Sequence, residues 1–317
     1  MATARALYIL EPVGWRLVAE QSVVAVGNFD GVHPGHQAVL KEARRLEPGL
    51  PLVVVSFWPH PLQVLHPDAP PLLLTSLDGR IERLKAAGAD RVEVIDFTRE
   101  FAAKTPAEFV RDVIAPLQPA RVVVGENFRF GAGAKGDVAS LRAAGAALDP
   151  PFAVTALPLV KFEDEETCST RIREALAAGD VRHAAEHLGR PFRFRGIVVH
   201  GDHRGRALGF PTANLAVPPG MAIPADGVYA GYLYTGPPAT AGKQPAAISV
   251  GSNPTFAGAA RRIEAHVIGR DDLDLYGELV TVEFTDRIRD MARFAGPAEL
   301  TAQLAADVAA TRRLVGV

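Results

Sequence analysis

Two hydrophobic patterns divide the chain. In the first half, short β-branched runs at Val23–Val26, Leu52–Phe57, Arg91–Phe97, Arg121–Gly125 and Phe152–Leu157 alternate with helical patterns at Gln37–Leu46, Ser76–Ala87, Pro106–Leu117 and Val138–Ala147. This alternation predicts a parallel sheet with helices on both faces, an α/β, Rossmann-like architecture. Thr105-Pro106-Ala107-Glu108 reads as a helix start: Thr105 can cap, Pro106 suits the first helical position, and Glu108 can close a capping box. Gly88 suits the stop of the preceding helix. Beyond Leu188-Gly189-Arg190-Pro191 the pattern becomes strand-like at Phe192–His200, Val228–Tyr234, Ala246–Val250, Arg262–Ile268 and Leu279–Phe284, with Gly, Pro and Asp clusters between. Thr235–Gln244 reads as an exposed loop. After Pro297, Leu300, Leu304, Val308 and Thr311 fall on one face of a helix. Short strands and one closing helix predict a compact antiparallel β-barrel. The expected domains are therefore 1–188 and 189–317.

Bulk properties narrow the class. Hydrophobic residues make up 48% of the 317 positions, enough for packed cores and too many for a disordered chain. No apolar stretch is long enough to span a bilayer, and Met1–Pro12 lacks the ordered parts of a signal peptide. Cys168 is the only cysteine, which excludes an intrachain disulfide and fits a cytoplasmic setting. Lys and Arg total 34 against 36 acidic residues, so no broad basic field for nucleic acid exists. The expected partners are small molecules, without nucleic acid or membrane, and the expected state is a monomer or transient homo-oligomer.

The first segment with chemical content is Gly27-Asn28-Phe29-Asp30-Gly31-Val32-His33-Pro34-Gly35-His36, after an apolar strand and at a helix start. Gly27 and Gly31 let backbone approach a phosphate. The helix beginning near Pro34 turns free N–H groups towards an anion. His33 and His36 can face the same phosphate and stabilise charge on it as donors, without either being a nucleophile. A zinc pair competes at this spacing. It loses ground because Cys168 is the only thiol and no second ligand pair is evident.

These residues resemble the His-x-Gly-His signature of the nucleotidyltransferase superfamily, in the form seen in bacterial FMN adenylyltransferases. Ser56-Phe57-Trp58-Pro59-His60-Pro61 resembles that family's Phe-Glu-Pro-His-Pro segment, with Trp58 in place of Glu. Val124-Gly125-Glu126-Asn127-Phe128-Arg129-Phe130-Gly131 resembles its Gly-Glu-Asn-Phe-x-Phe-Gly. Ser169-Thr170-Arg171-Ile172-Arg173 resembles the second signature, Ser-Ser-Thr-x-Ile-Arg, with Cys168 in place of its first Ser. The resemblance implies ATP and phosphate binding by Gly27, Asn28, Phe29, Gly31, Ser169 and Thr170, catalysis by His33, His36 and Arg173, and flavin binding by Phe57, Asn127 and Phe128. Ser169 and Thr170 also stand where they can cap a helix running to Ala178, with Gly179 as its stop.

The second half is similar to riboflavin kinase along nearly its whole length. Gly201-Asp202-His203-Arg204-Gly205-Arg206, then Leu208-Gly209-Phe210-Pro211-Thr212-Ala213-Asn214, carry the resemblance, followed by Gly251–Phe256, Ile263–His266 and Asp274–Gly277. Together the halves resemble the bacterial bifunctional family that phosphorylates riboflavin to FMN and adenylylates FMN to FAD. The expected cofactor is Mg²⁺, with ATP as co-substrate and riboflavin, FMN and FAD as substrates and products. Thr212 and Asn214 supply hard oxygen ligands at i, i+2 spacing on an extended segment. Gly205 and Gly209 flank a loop suited to ATP phosphates, which Arg206 can grip. Glu264 is the expected general base for the riboflavin 5′-hydroxyl. His200, His203 and His266 are expected to be structural or surface residues. A rival reading is a flavin-binding protein that has lost one or both activities, with Trp58 and Cys168 as its foothold.

Overall fold

The computed structural model describes residues 21–162, 165–201, 208–236, 242–252 and 261–317. These form two compact units. The first comprises the described residues up to Asn28, Val39–Val64 and Leu84–Pro158; the second comprises Phe29–Ala38, Leu65–Arg83 and the described residues from Leu159 onward.

The first unit is built on five parallel strands: β1 (Ser22–Val26), β2 (Leu52–Trp58), β3 (Arg91–Asp96), β4 (Pro119–Gly125) and β5 (Ala153–Leu157). Their order is β3-β2-β1-β4-β5, with every pairing parallel. The central β1 is buried at every position, as a strand covered on both faces requires. The chain's first helices are α1 (Pro34–Leu46), α2 (Pro61–Leu65), α3 (Leu77–Ala86), α4 (Arg99–Ala102), α5 (Pro106–Phe109) and α6 (Val138–Ala146). Thr105 and Glu108 form the expected capping box. The helix expected over Pro106–Leu117 is helical throughout, but it widens to a π turn at Val110–Ile114 and tightens to a 3₁₀ turn at Ala115–Leu117. Pro116 has no N–H to donate, which ends the regular ladder there. Phe57, Phe109 and Phe130 join Val24, Val53 and Val122 in one core cluster.

The second unit begins with a hairpin, β6 (Lys161–Phe162) and β7 (Glu165–Glu166), followed by α7 (Ser169–Ala178) and α8 (Val181–Leu188). Its barrel strands are β8 (Phe192–Val199), β9 (Ala213–Ala216), β10 (Gly227–Tyr234), β11 (Lys243–Ser252), β12 (Arg261–Val267) and β13 (Leu279–Arg289). They close in the order β10-β11-β12-β9-β8-β13, and every pairing is antiparallel. The burial of β8 alternates along its length, the period of a strand with one face inward.

The helix Pro297–Val315 closes the chain as expected, but its two buried positions are Asp307 and Thr311. Asp307 accepts both forks of Arg289 at 2.9 and 2.7 Å and an amide hydrogen of Gln303, so an ion pair lies within the face expected to be apolar. β13 also runs to Arg289 rather than ending at Phe284. α8 was not expected, because two histidines interrupt its otherwise apolar spacing. The expected loop at Thr235–Gln244 lies partly outside the described residues.

Close approach of strands fixes one glycine. A Cβ at Gly231 on β10 would stand 1.8 Å from the Glu283 carbonyl oxygen of β13. Gly231→Ala is therefore expected to destabilise the protein by about 2–3 kcal/mol through forced separation of the two strands. Chemical denaturation followed by intrinsic fluorescence tests this, and an unchanged midpoint would contradict it.

Candidate active sites

In the first unit the chain reverses its direction of strand addition at β1, and β2 and β4 flank that strand. Ligands in such sheets bind beyond the carboxyl ends of the strands at this switch point. Gly27 N donates to Val55 O at 3.1 Å, and Ser56 Oγ donates to Asn28 O at 3.0 Å, which ties the start of the first signature to the end of β2. Across β1, Gly125 ends β4, and Phe128 N donates back to Gly125 O at 3.0 Å. That turn leaves Asn127 exposed and Phe128 half-buried, stacked on Phe130 at 5.4 Å. Phe57 is a core ring, packed against Phe97, Phe101 and Phe109. Of the aromatic residues assigned to flavin, Phe128 is the more open.

In the second unit the signature continues through a turn with unusual backbone. Phe29, Gly31 and Val32 have φ of +54°, +86° and +44°. Positive φ at a β-branched valine is an outlier that costs about 1–3 kcal/mol and persists only where the surroundings enforce it. Two side chains enforce it here. Arg190 donates to Gly31 O, Val32 O and Leu188 O. Asp30, almost fully buried, accepts from Leu74 N (2.9 Å), Thr75 N (3.1 Å), Thr75 Oγ1 (2.9 Å), Arg80 Nη2 (3.4 Å) and Arg173 Nη2 (2.6 Å). A buried carboxylate is stable only when paired and hydrogen-bonded in this way.

His33 and His36 stack with ring centroids 3.7 Å apart, and Phe29 meets His36 edge-on at 5.2 Å. Gly35 makes room for the pair, since a Cβ there would lie 3.1 Å from the His33 ring. Burial, followed by the positive charge of Arg190, pushes the His33 pKa down to about 4. Burial and the neighbouring His33 push His36 down as well. Both imidazoles are therefore neutral at neutral pH. Neither Nδ1 has a hydrogen-bond partner among the described residues.

The second signature opens α7. The expected capping by Ser169 and Thr170 is not what forms: Cys168 is the N-cap residue and makes no side-chain cap. Ser169 Oγ instead donates to Asp30 O at 2.8 Å, tying the two signatures together. Thr170 lies in the first turn, and Gly179, at φ +77°, stops the helix as expected. Arg173 donates to Leu72 O as well as to Asp30, so two of its donor positions are used inside the protein. Asp30, Thr75, Arg80 and Arg190 were not picked out from sequence. Asp30 lay inside the motif, but nothing local revealed that a charge so near a strand end is buried.

On the barrel, register places two expected residues together. Glu264 on β12 pairs directly with Asn214 on β9, and opposite residues share a face. Their neighbours Ile263 and Leu215 are fully buried in the barrel core, so Asn214 and Glu264 lie on the opposite face of their strands, where Asn214 is buried and Glu264 is half-buried. Asn214 Nδ2 lies 3.4 Å from both Thr212 O and Thr212 Oγ1. His266 Nδ1 donates to Pro211 O at 2.8 Å and Phe210 packs edge-on to its ring, the structural role expected of that histidine. A cavity beside these residues is lined by Thr212, Asn214, Ala265, Leu273, Leu275 and Tyr276. His200 stacks on Tyr276 at 4.1 Å. Gly209 adopts φ +81°, a conformation suited to glycine. Gly205, Arg206 and His203 lie outside the described residues.

Residues 16–171 match the FAD synthetase family, and residues 188–315 match the riboflavin kinase family. The bifunctional riboflavin kinase/FMN adenylyltransferase of Escherichia coli K12 is 37% identical over 305 residues, covering 94% of each chain. Its Bacillus subtilis counterpart is 35% identical over 300 residues, covering 90% of each. A solved Streptococcus pneumoniae structure, named as a macrolide-efflux protein, superposes with a TM-score of 0.83 at 36% identity, covering 93% of this chain and 94% of that one. No described helix here is long and apolar enough to cross a membrane. A match this extensive, carrying both halves in order, means that the chain belongs to the bifunctional riboflavin kinase/FMN adenylyltransferase family.

Proposed function

We propose that the two activities of this chain fall to separate sets of residues: FMN formation on the barrel, within 189–317, and FAD formation at the two signature segments, within 1–188. The chain phosphorylates riboflavin and adenylylates FMN. The family match and the lone Cys168 support a cytoplasmic setting.

For FAD formation, an FMN phosphate oxygen attacks the α-phosphorus of ATP, and the bond to the β-phosphate oxygen breaks to release pyrophosphate. No proton has to move. The stacked neutral pair His33 and His36 at the start of α1 is the observation that carries this reading. Neutral imidazoles can donate hydrogen bonds to developing phosphate charge without first forming a buried imidazolium. Gly27, Asn28, Phe29 and Gly31 shape the turn ahead of a helix N-terminus, and Ser169 and Thr170 stand at another. Arg173 keeps Nη1 for phosphate, since only its other nitrogens have partners among the described residues. Asn127 and Phe128 take the flavin, with Phe57 supporting that aromatic surface from the core.

For FMN formation, the riboflavin 5′-hydroxyl attacks the γ-phosphorus of ATP, ADP leaves, and Glu264 accepts the hydroxyl proton. The pairing of Glu264 with Asn214 across β12 and β9 carries this assignment. Thr212 and Asn214 would hold Mg²⁺ through the threonine hydroxyl and the asparagine side-chain carbonyl, two neutral hard oxygens on side chains already in contact, Asn214 Nδ2 lying 3.4 Å from Thr212 Oγ1. Held by these two residues, Mg²⁺ would neutralise phosphate charge. A Cβ at Gly201 would lie 2.5 Å from the Asn214 amide, so glycine keeps that amide's place open. Gly205, Arg206 and Gly209 complete the phosphate-holding loop.

His36→Ala is expected to lower FAD formation by about 10²–10³-fold while leaving FMN formation intact. Separating riboflavin, FMN and FAD over time tests it, and equal loss of both products in a folded variant would overturn the division. Glu264→Gln is expected to do the reverse, lowering FMN formation by about 10²–10⁴-fold. Unchanged phosphorylation would remove Glu264 as the base. Asp30→Asn leaves buried guanidinium groups without their carboxylate, and should cost about 3–5 kcal/mol in stability along with FAD formation. Urea unfolding measures the first and product analysis the second.

The lowered pKa of His33 has a defined sign. Between its unfolded value of 6.5 and its folded value of about 4, the unfolded chain binds more protons. Its contribution is complete above the unfolded value and is lost as pH falls through this window, amounting to about 3 kcal/mol. His33→Asn should flatten that part of the stability profile. A profile parallel to that of the parent protein between pH 4 and 6.5 would refute a depressed pKa.

A further inference from the structure

Sequence reading found no second metal-ligand pair, but the fold forms one in the second unit. α8 carries His183 and His187 at i and i+4, one turn apart on the same face. Glu165 of β7 lies against them. One ligand atom from each of the three residues comes within 4.8 Å of the other two. His187 Nε2 stands 3.8 Å from Glu165 Oε2 and has no hydrogen-bond partner among the described residues, although the His187 side chain is fully buried. A buried ring nitrogen without a hydrogen bond requires an explanation, since burying an unsatisfied polar atom is unfavourable.

We propose that Glu165, His183 and His187 form a binding site for a divalent transition-metal ion of the zinc class. Two imidazoles and one carboxylate, with a fourth position left to water, are a zinc donor set. Metal–ligand distances of about 2.0–2.1 Å place tetrahedral ligand atoms about 3.3 Å apart, so the observed spacing needs only small side-chain rotations to close. The supporting shell is also present. Thr167 Oγ1 lies 3.5 Å from His187 Nδ1, the nitrogen left over when Nε2 binds metal. Glu186 Oε2 lies 3.1 Å from His183 Nδ1, which makes Nε2 the free ligand atom of His183 when that bond is kept. Entry is open on the solvent side, because Glu165 is exposed and His183 is partly exposed. One cation competes: Arg171 Nε lies 3.9 Å from the same Glu165 oxygen and must yield it.

The bound ion staples the β6–β7 hairpin to α8, on either side of the second signature. It is a structural and positioning site, separate from the residues assigned to phosphate and flavin.

The test uses the full chain, freed of metal by a chelator and returned to chelator-free buffer. Zn²⁺ is expected to bind one per chain in calorimetry and to raise the melting temperature by about 5 °C at saturating ion, while Mg²⁺ does neither. Co²⁺ should give the visible absorption of a tetrahedral site. His183→Ala, a change at a partly exposed position, should abolish the Zn²⁺ response while leaving the metal-free melting temperature unaltered. Glu165→Gln should weaken binding at least tenfold. No Zn²⁺ response in the parent protein, or a response that survives His183→Ala, would overturn the proposal; the latter would send the ion to other histidines, such as His33 and His36.

Discussion

The carboxylate of Asp30 ties together segments that are far apart in sequence. It is almost fully buried and accepts from two backbone N–H groups, one hydroxyl and two guanidinium groups. Without it, Arg80 and Arg173 would be left as buried or half-buried cations, and the turn at Gly31 would lose its contact with Leu74 and Thr75. The strained φ angles of Phe29 and Val32 are held by this carboxylate from one side and by Arg190 from the other. Histidine positions then follow. His33 and His36 stack because the turn delivers them to the first turn of α1 with their rings together, where Gly35 leaves room.

This arrangement explains why the signature uses histidine where lysine or arginine would carry a stronger field. A fixed cation among Arg80, Arg173 and Arg190 would be repelled by all three. Imidazole escapes that repulsion by staying neutral and still donates a hydrogen bond. Burial and the guanidinium charges move the His33 pKa in the same direction, which is why it falls to about 4. The histidines are therefore neutral groups able to hydrogen-bond, and the positive charge of this region is carried by the arginines.

Sequence pattern made most of the scaffold legible. The five parallel strands, the capping box at Thr105, the stop at Gly179 and the antiparallel barrel all follow from local periodicity and turn chemistry. What local pattern could not show was tertiary pairing of charge. Asp30 lay in a recognised motif, yet its burial depends on residues 44 to 143 positions away. Arg173 read as a phosphate grip, and only the fold shows that it is first an anchor for Asp30. Asp307 lay within a helix expected to pack through apolar residues, because its partner Arg289 is on β13. Glu264 and Asn214 were each identifiable by motif, but strand register alone puts them face to face.

Charge balance around the first signature gives the clearest physical reason for an anionic substrate. Asp30 contributes one negative charge, and Arg80, Arg173 and Arg190 contribute three positive ones. All bonds of Arg190 among the described residues go to carbonyl oxygens, and burial with Arg83 and Arg193 nearby lowers its pKa to about 9. These four groups thus carry a net positive charge beside two neutral imidazoles and a helix N-terminus. Such a surplus is unfavourable in the empty protein and is relieved when phosphate groups enter. Part of the substrate's binding energy comes from this relief, and it is greatest where negative charge is most concentrated. A triphosphate under attack at its α-phosphorus meets that description better than a neutral flavin ring does.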